Sequence, residues 1–264
     1  MDEKSRNFQY GRKVLFLNAS SAIVYSTIPE LVTREFDASF IPSRDGAEAV
    51  VAQFPGAILI LNLDDGTGAE SWIPFINALN DGGSDATPTV CVMYRGDSFD
   101  EAAFANKARF TGGFIRIADA ANSLEPIAAA LDGLNAKGRR KFVRADGTDD
   151  DKAVLHAIVD NKMYNLKCHD ISMAGVSCTV DAKFAEAFPS KSLVRDATLT
   201  LERKAVSCQM LVVGSFPEGG SVKLVMMFAS KISEVSETVI HSYILQAQQR
   251  AVDKIHTLAA PGAV

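Results

Sequence analysis

Two periods of hydrophobicity divide this 264-residue chain. In the first half, short apolar runs alternate with stretches whose apolar residues recur at helical spacing. Residues 13–18 (KVLFLN) read as a buried strand. Ile23, Val24, Ile28, Leu31, Val32 and Phe36 mark a helix over 22–36, and Pro29 makes it start late or kink. A short strand is expected at 38–42 and a helical stretch at 46–54. Residues 57–63 (AILILNL) are apolar on both faces, as a central parallel strand requires. A helix over 71–79, a strand over 87–94, a helix over 99–110, a strand over 113–117 and a helix over 123–134 complete five βα repeats. Such a chain forms a parallel sheet with helices on both faces and right-handed crossovers.

From Lys152 the period changes to two. Residues 153–159, 164–170, 176–180, 197–201, 206–213 and 222–228 alternate as strands, and Gly219-Gly220 supplies a hairpin turn between the last two. One helical stretch, 184–188, interrupts them. Six strands in this span predict a closed antiparallel barrel or sandwich. The chain then ends in a helix, with Ser236 as its expected N-cap. Its apolar stripe runs through Val239, Ile240, Tyr243, Ile244, Ala247, Ala251 and Ile255. That stripe covers the barrel end or meets a partner.

Charge sharpens the division. The net charge is −5, which excludes bulk electrostatic binding to a nucleic-acid polymer. It is uneven: eleven basic and eighteen acidic residues lie up to Lys137, sixteen and fourteen from Gly138 onward. The boundary is set there, giving an α/β domain over 12–137 and an all-β domain with its terminal helix over 138–256. The N-terminal MDEKSRNFQYGRK has no apolar segment of the signal-peptide kind, and no run is long enough for a membrane helix; a cytoplasmic location is expected. Four cysteines (Cys91, Cys168, Cys178, Cys208) stand singly in apolar segments and read as reduced thiols. Cys168 and His169 are strand neighbours facing opposite ways, so they make a poor chelate. The histidines (His156, His169, His241, His256) are scattered, and no nucleotide-loop, zinc-protease or serine-hydrolase motif occurs. No metal, cofactor or catalytic residue is expected.

The chemistry lies in two short motifs. Arg140-x-x-x-Arg144, preceded by Arg139, opens the second half, and Asp170-x-Ser172-x-x-Gly175 follows on a strand-to-strand turn. Arginines present planar donor forks suited to phosphate and to the O6/N7 edge of guanine. An aspartate accepts from the N–H groups of the opposite guanine edge. A serine hydroxyl serves phosphate or backbone, and a glycine permits close approach. The set suits a ligand carrying both guanine and phosphate. The same residues could also be a solvated linker cluster and a polar turn.

RxxxR followed by DxSxxG, at the head of an all-β segment, resembles the PilZ family over about residues 138–250. The resemblance implies a six-stranded antiparallel barrel that binds cyclic diguanylate and performs no catalysis. It implies guanine and phosphate contacts for Arg140 and Arg144, contacts on the opposite side of the ligand for Asp170 and Ser172, and the turn for Gly175. Arg139 fits the mode in which a stacked pair of ligands is held.

Residues 12–135 resemble a response-regulator receiver in the order of elements. Its active-site positions depart from the pattern: Asn18 and Ala19 stand where an acidic pair belongs, Asn62 at the phosphoacceptor position, Met93 for Thr or Ser, and Ile117 for Lys. Asn for Asp removes a nucleophile and a magnesium ligand together. Asp64 and Asp65 lie beyond the expected position and suit a cap or turn. This half is therefore expected to be a pseudo-receiver that contacts an unidentified signalling or motility protein. The alternative is an adaptor in motility or pilus function that binds no messenger.

Overall fold

A computed structural model describes residues 11–64, 68–81, 87–139, 141–146 and 152–259. They fall into two compact units. One is built from the chain up to Lys141 and again from Gln248 onward, the other from Phe142–Ala247.

The first unit is a five-stranded parallel sheet in the order β2-β1-β3-β4-β5, with strands β1 (Val14–Leu17), β2 (Ala38–Ile41), β3 (Ile58–Asn62), β4 (Thr89–Arg95) and β5 (Gly113–Ile117). Every residue of β1 and β3 is buried, as a sheet covered on both faces demands. A π-helical turn (Ile23–Thr27) runs into α1 (Ile28–Thr33), where Pro29 sits in the first turn and loses no helical hydrogen bond. Helices α2 (Ala47–Ala52), α3 (Ile73–Asp81, after a 3-10 turn at Ala69–Trp72), α4 (Glu101–Ala105) and α5 (Leu124–Gly133) make the remaining crossovers. The helix expected over 99–110 is reduced to α4. Asp100 caps its start by accepting from the Ala103 amide at 2.9 Å. Phe99, Phe104, Phe110 and Phe114 then pack edge-to-face, so the following residues fold back as turns to bring the rings together.

The second unit is the antiparallel six-stranded barrel. Its strands are β7 (Ala153–Val159), β8 (Lys162–Ser172), β9 (Gly175–Asp181), β10 (Leu193–Leu201), β11 (Lys204–Glu218) and β12 (Ser221–Phe228), with a 3-10 turn at Ala182–Ala187. They pair in the order β8-β7-β10-β11-β12-β9, and a β8–β9 pairing closes the cylinder. One element goes beyond the sequence reading. The arginine segment, expected to precede the first strand, itself contributes β6 (Arg144–Asp146), which pairs with β8.

The terminal helix α6 (Glu234–Ala259) begins two residues before Ser236. The Ser233 hydroxyl accepts from the Ser236 amide at 3.2 Å, so Ser233 takes the capping role that was expected of Ser236. Ile240, Tyr243, Ile244, Gln248 and Val252 are buried, while Ala251 of the expected stripe is exposed. The buried residues from Ile240 to Val252 follow the i+4 row, which is inclined to the helix axis, and so the buried face drifts along the helix. Within the first unit, Val252 joins the core cluster of Leu15, Leu59, Val90 and Trp72. The Gln249 amide accepts from Phe40 N at 3.0 Å and donates to Phe40 O at 2.9 Å, filling the open edge of β2.

Candidate functional site

The site is set by the phase of β8. Leu166 and Cys168 point into the barrel and are fully buried, Cys168 standing opposite Cys178 on β9. Strict alternation would then direct Asp170 and Ser172 inward as well. The register jumps between Cys168 and Asp170, so that Asp170 stands opposite Ser177. This β-bulge at His169 inserts one extra residue and inverts the faces that follow. Ile171 now fills the core opposite Val176, and Asp170 and Ser172 lie on the outer face. The His169 ring nitrogen Nε2 is hydrogen-bonded to the Thr179 hydroxyl beside the bulge.

On its other edge β8 pairs first with β7, through Lys162 to Lys167, and then with β6, through Asp170 to Ser172. Ala145 is buried, so Arg144 and Asp146 face outward. Arg144 stands in register with Ser172, which makes Asp170 its diagonal neighbour on the same face. Arg144 Nη1 donates to Asp170 Oδ2 at 3.2 Å and lies 3.4 Å from Oδ1. Ser177 Oγ donates to Asp170 Oδ2 at 3.1 Å. Ser172 closes the two-residue hairpin between β8 and β9: its hydroxyl accepts from Ala174 N and donates to Gly175 O, both at 3.3 Å.

Gly175 begins β9 and pairs with both Ser172 and Met227 of β12. An added Cβ would stand 2.1 Å from Met226 O and 2.7 Å from Met227 Cα. The last position of the DxSxxG motif is therefore required by closure of the barrel, independently of any ligand.

The structure thus brings Arg144, Asp170, Ser172 and Gly175 onto one stretch of the outer wall. Arg140 lies outside the described residues. Arg139 is exposed and belongs to the other compact unit. Ser177 was not singled out from the sequence, because a serine on an alternating strand carries no signal until the bulge sets it opposite Asp170. The accessible groups of the patch are Arg144 and Asp170, with side chains 48% and 30% exposed, while Ser172 and Ser177 are buried. Between groups this accessible, the Arg144–Asp170 pair contributes at most about 1 kcal/mol.

In the first unit Asn18 and Asn62 form a clasp. Asn18, with φ of 60°, donates from Nδ2 to Asn62 O at 2.7 Å, and Asn62 Nδ2 returns a bond to Asn18 O at 3.0 Å. Met93 and Ile117 are buried. Asp64 is engaged by Arg95 Nε at 2.9 Å; Asp65 lies outside the described residues. All four cysteines are buried and free, and desolvation raises their thiol pKa values, to about 12 for Cys91 and Cys168 and about 11 for Cys208. Among the described residues, no group of three acidic, histidine or cysteine side chains is disposed to hold a metal. No helix among them is long and apolar enough to cross a membrane.

No protein-family model and no curated protein matches the chain. Solved structures align with less than half of it. The K. pneumonia MrkH–c-di-GMP complex is 16% identical over 41% of this chain and 50% of that one, with a TM-score of 0.35. The PilZ domain with c-di-GMP of YcgR from Escherichia coli is 12% identical over 44% of this chain and 96% of that one, at 0.38. The Bacillus subtilis inhibitor of motility MotI/DgrA is 18% identical over 44% and 52%, at 0.34. The chain spans about half the length of MrkH and MotI.

Proposed function

We propose that the barrel is a non-enzymatic receptor for cyclic diguanylate, gripped by Arg140, Arg144, Asp170 and Ser172, with Arg139 serving a second, stacked ligand. The observation that carries this reading is the register of β6 on β8. It sets a guanidinium beside a carboxylate and a hydroxyl on one outer face. Cyclic diguanylate offers phosphates to the arginine and guanine N–H donors to the aspartate. The exchange is favourable on magnitude. It gives up an exposed ion pair of at most about 1 kcal/mol and gains charge-assisted hydrogen bonds of about 1.5–3 kcal/mol each.

Ligand capture would draw residues 139–144, which join the two units in sequence, onto the ligand and so bias how the receiver-like unit is presented to a protein partner. The receiver-like unit serves contact rather than phosphotransfer, since the Asn18–Asn62 clasp holds amides where the chemistry needs carboxylates.

Titration calorimetry of the full chain with cyclic diguanylate tests the reading. Saturable binding is expected, lost or weakened about ten- to a hundredfold in Arg144→Ala and Arg140→Ala. An absence of heat for the wild type, or undiminished affinity in Arg144→Ala, would overturn it. Small-angle scattering with and without saturating ligand tests the rearrangement, and identical profiles would refute it.

A further inference from the structure

The register of the barrel draws a continuous outer row across six strands: Leu193 of β10 opposite Leu211 of β11, Leu211 opposite Met227 of β12, Met227 opposite Gly175, Gly175 opposite Ser172, and Ser172 opposite Arg144. Each member lies on the outer face, because its chain neighbours Val194, Met210, Val212, Met226, Val176, Ile171 and Ala145 are buried in the barrel. The row is polar at the Arg144 end and apolar at the other. Leu193, Leu211 and Met227 are 42%, 37% and 45% exposed. Between the two ends stands Gly175, which has no side chain to separate them.

From this juxtaposition we infer that Met227, backed by Leu211, is a base-stacking surface of the nucleotide site. A purine face laid over Gly175 would rest against the Met227 thioether while its polar edge reaches Asp170. This inference rests on the receptor reading and adds to it a binding residue outside both motifs.

Strand spacing, the lack of a flat apolar surface among the polar groups and the character of the methionine side chain support it. Neighbouring strands are spaced by about 4.8 Å, so Met227 lies about 10 Å from Ser172 and about 14 Å from Arg144 along the wall, within reach of one dinucleotide. The polar groups alone offer edge and phosphate contacts but no flat apolar surface, and a purine needs one to leave water. A methionine, polarisable and unbranched, accommodates a flat ring, and sulfur–ring contacts are favourable. The outer face also carries exposed apolar residues away from the row. Ile158, on β7 and 44% exposed, has polar Asp196 as its cross-strand neighbour on β10 and serves as a control.

The test is calorimetry of the full chain with cyclic diguanylate, comparing wild type, Met227→Ala, Met227→Trp, Ile158→Ala and Arg144→Ala. Circular dichroism verifies that each variant is folded. Losing a sulfur–ring contact, with the apolar area it covers, weakens binding about three- to tenfold. Met227→Ala is therefore expected to fall in that range, Ile158→Ala to match the wild type, and Met227→Trp to bind with its new tryptophan fluorescence quenched by ligand. If Arg144→Ala loses affinity but Met227→Ala stays within about twofold of wild type, the stacking surface is refuted and the receptor reading stands. Equal losses in Ile158→Ala and Met227→Ala would refute it too, since the effect would not belong to the row. Failure of the wild type to bind overturns the receptor reading itself, and the inference with it.

Discussion

Replacing Gly175 by alanine should open the barrel even though it adds a single methyl group. The methyl would lie 2.1 Å from Met226 O and 2.7 Å from Met227 Cα. Both atoms are backbone, so no side-chain rotation relieves the contact, and β9 must withdraw from β12 by more than an ångström. That withdrawal pulls on the Met226↔Val176 and Met227↔Gly175 pairings and on the Ser172↔Gly175 pair that closes the cylinder. The φ of 154° at this residue is itself disfavoured for alanine. Overpacking in a rigid setting costs about 1–3 kcal/mol, and here the upper end or beyond is expected because two strands must move together. A chain of two units need not unfold in one step, so a single global midpoint would obscure the effect. Hydrogen exchange read by mass spectrometry on peptides from β9 and β12 is the suitable assay. A loss of about 3 kcal/mol speeds exchange there roughly a hundredfold, while peptides from β1 and β3 keep their protection. Unchanged protection in β9 and β12 would refute the claim that barrel closure, rather than ligand contact, demands glycine at this position.

Other expectations follow from the same geometry. Val252→Ala should destabilise the sheet unit by about 2 kcal/mol; the sole tryptophan, Trp72, shares its core cluster, so the denaturant midpoint of Trp72 fluorescence reads the loss directly. Asn62→Asp restores the acid of a phosphoacceptor but removes the donor to Asn18 O in a buried setting; a destabilisation of about 1–3 kcal/mol, with no label incorporated from acetyl phosphate, is expected by the same fluorescence and by phosphate-affinity electrophoresis. The cysteines should resist a thiol reagent at pH 8 in the native protein and all four react once it is unfolded. Because burial holds Cys91 and Cys168 near 12 against an ordinary 9, their neutral forms favour the folded state fully below pH 9. That contribution is lost as pH rises towards 12, and for the unit that holds Cys91 the denaturant midpoint of Trp72 fluorescence should fall across this window.

The parallel sheet was legible because its strands are apolar on both faces and its helices carry a 3.6-residue period, and neither signal depends on distant partners. The six barrel strands were legible from alternation for the same reason. What the sequence could not convey is non-local. Three residues at Arg144–Asp146 have too little pattern to announce a strand, and they form one only because β8 continues beyond the end of β7 and offers an unpaired edge. The helix expected over 99–110 stops after Ala105, since four phenylalanines gain more from packing edge-to-face than from sharing a helix. On α6, Ala251 fits an apolar stripe and is exposed, whereas Gln248 breaks the stripe and is buried, because the buried row follows i+4 rather than composition. Of the candidate site, the residue types and their order were readable, but Ser177 and the pairing of Arg144 with Asp170 were not.

The bulge at His169 is what converts the motif into a site. A polar pair two apart on a strand that has just buried Leu166 and Cys168 should, by period two, continue inward. There Asp170 would face the desolvation penalty of an uncompensated carboxylate, several kcal/mol. One inserted residue returns Ile171 to the core and moves both polar groups outside, so the core gains an isoleucine through the same shift that exposes the aspartate. Stability and site geometry are thus coupled through one register change. Deleting His169 would close the bulge without turning the site over. Asp170 would then follow Cys168 directly, and ordinary alternation keeps Asp170 and Ser172 outside, Ile171 inside, and the pairings with Ser177, Val176 and Gly175 in place. What such a deletion removes is the bond to Thr179 and the local twist that a bulge adds, so the barrel core is expected to survive it.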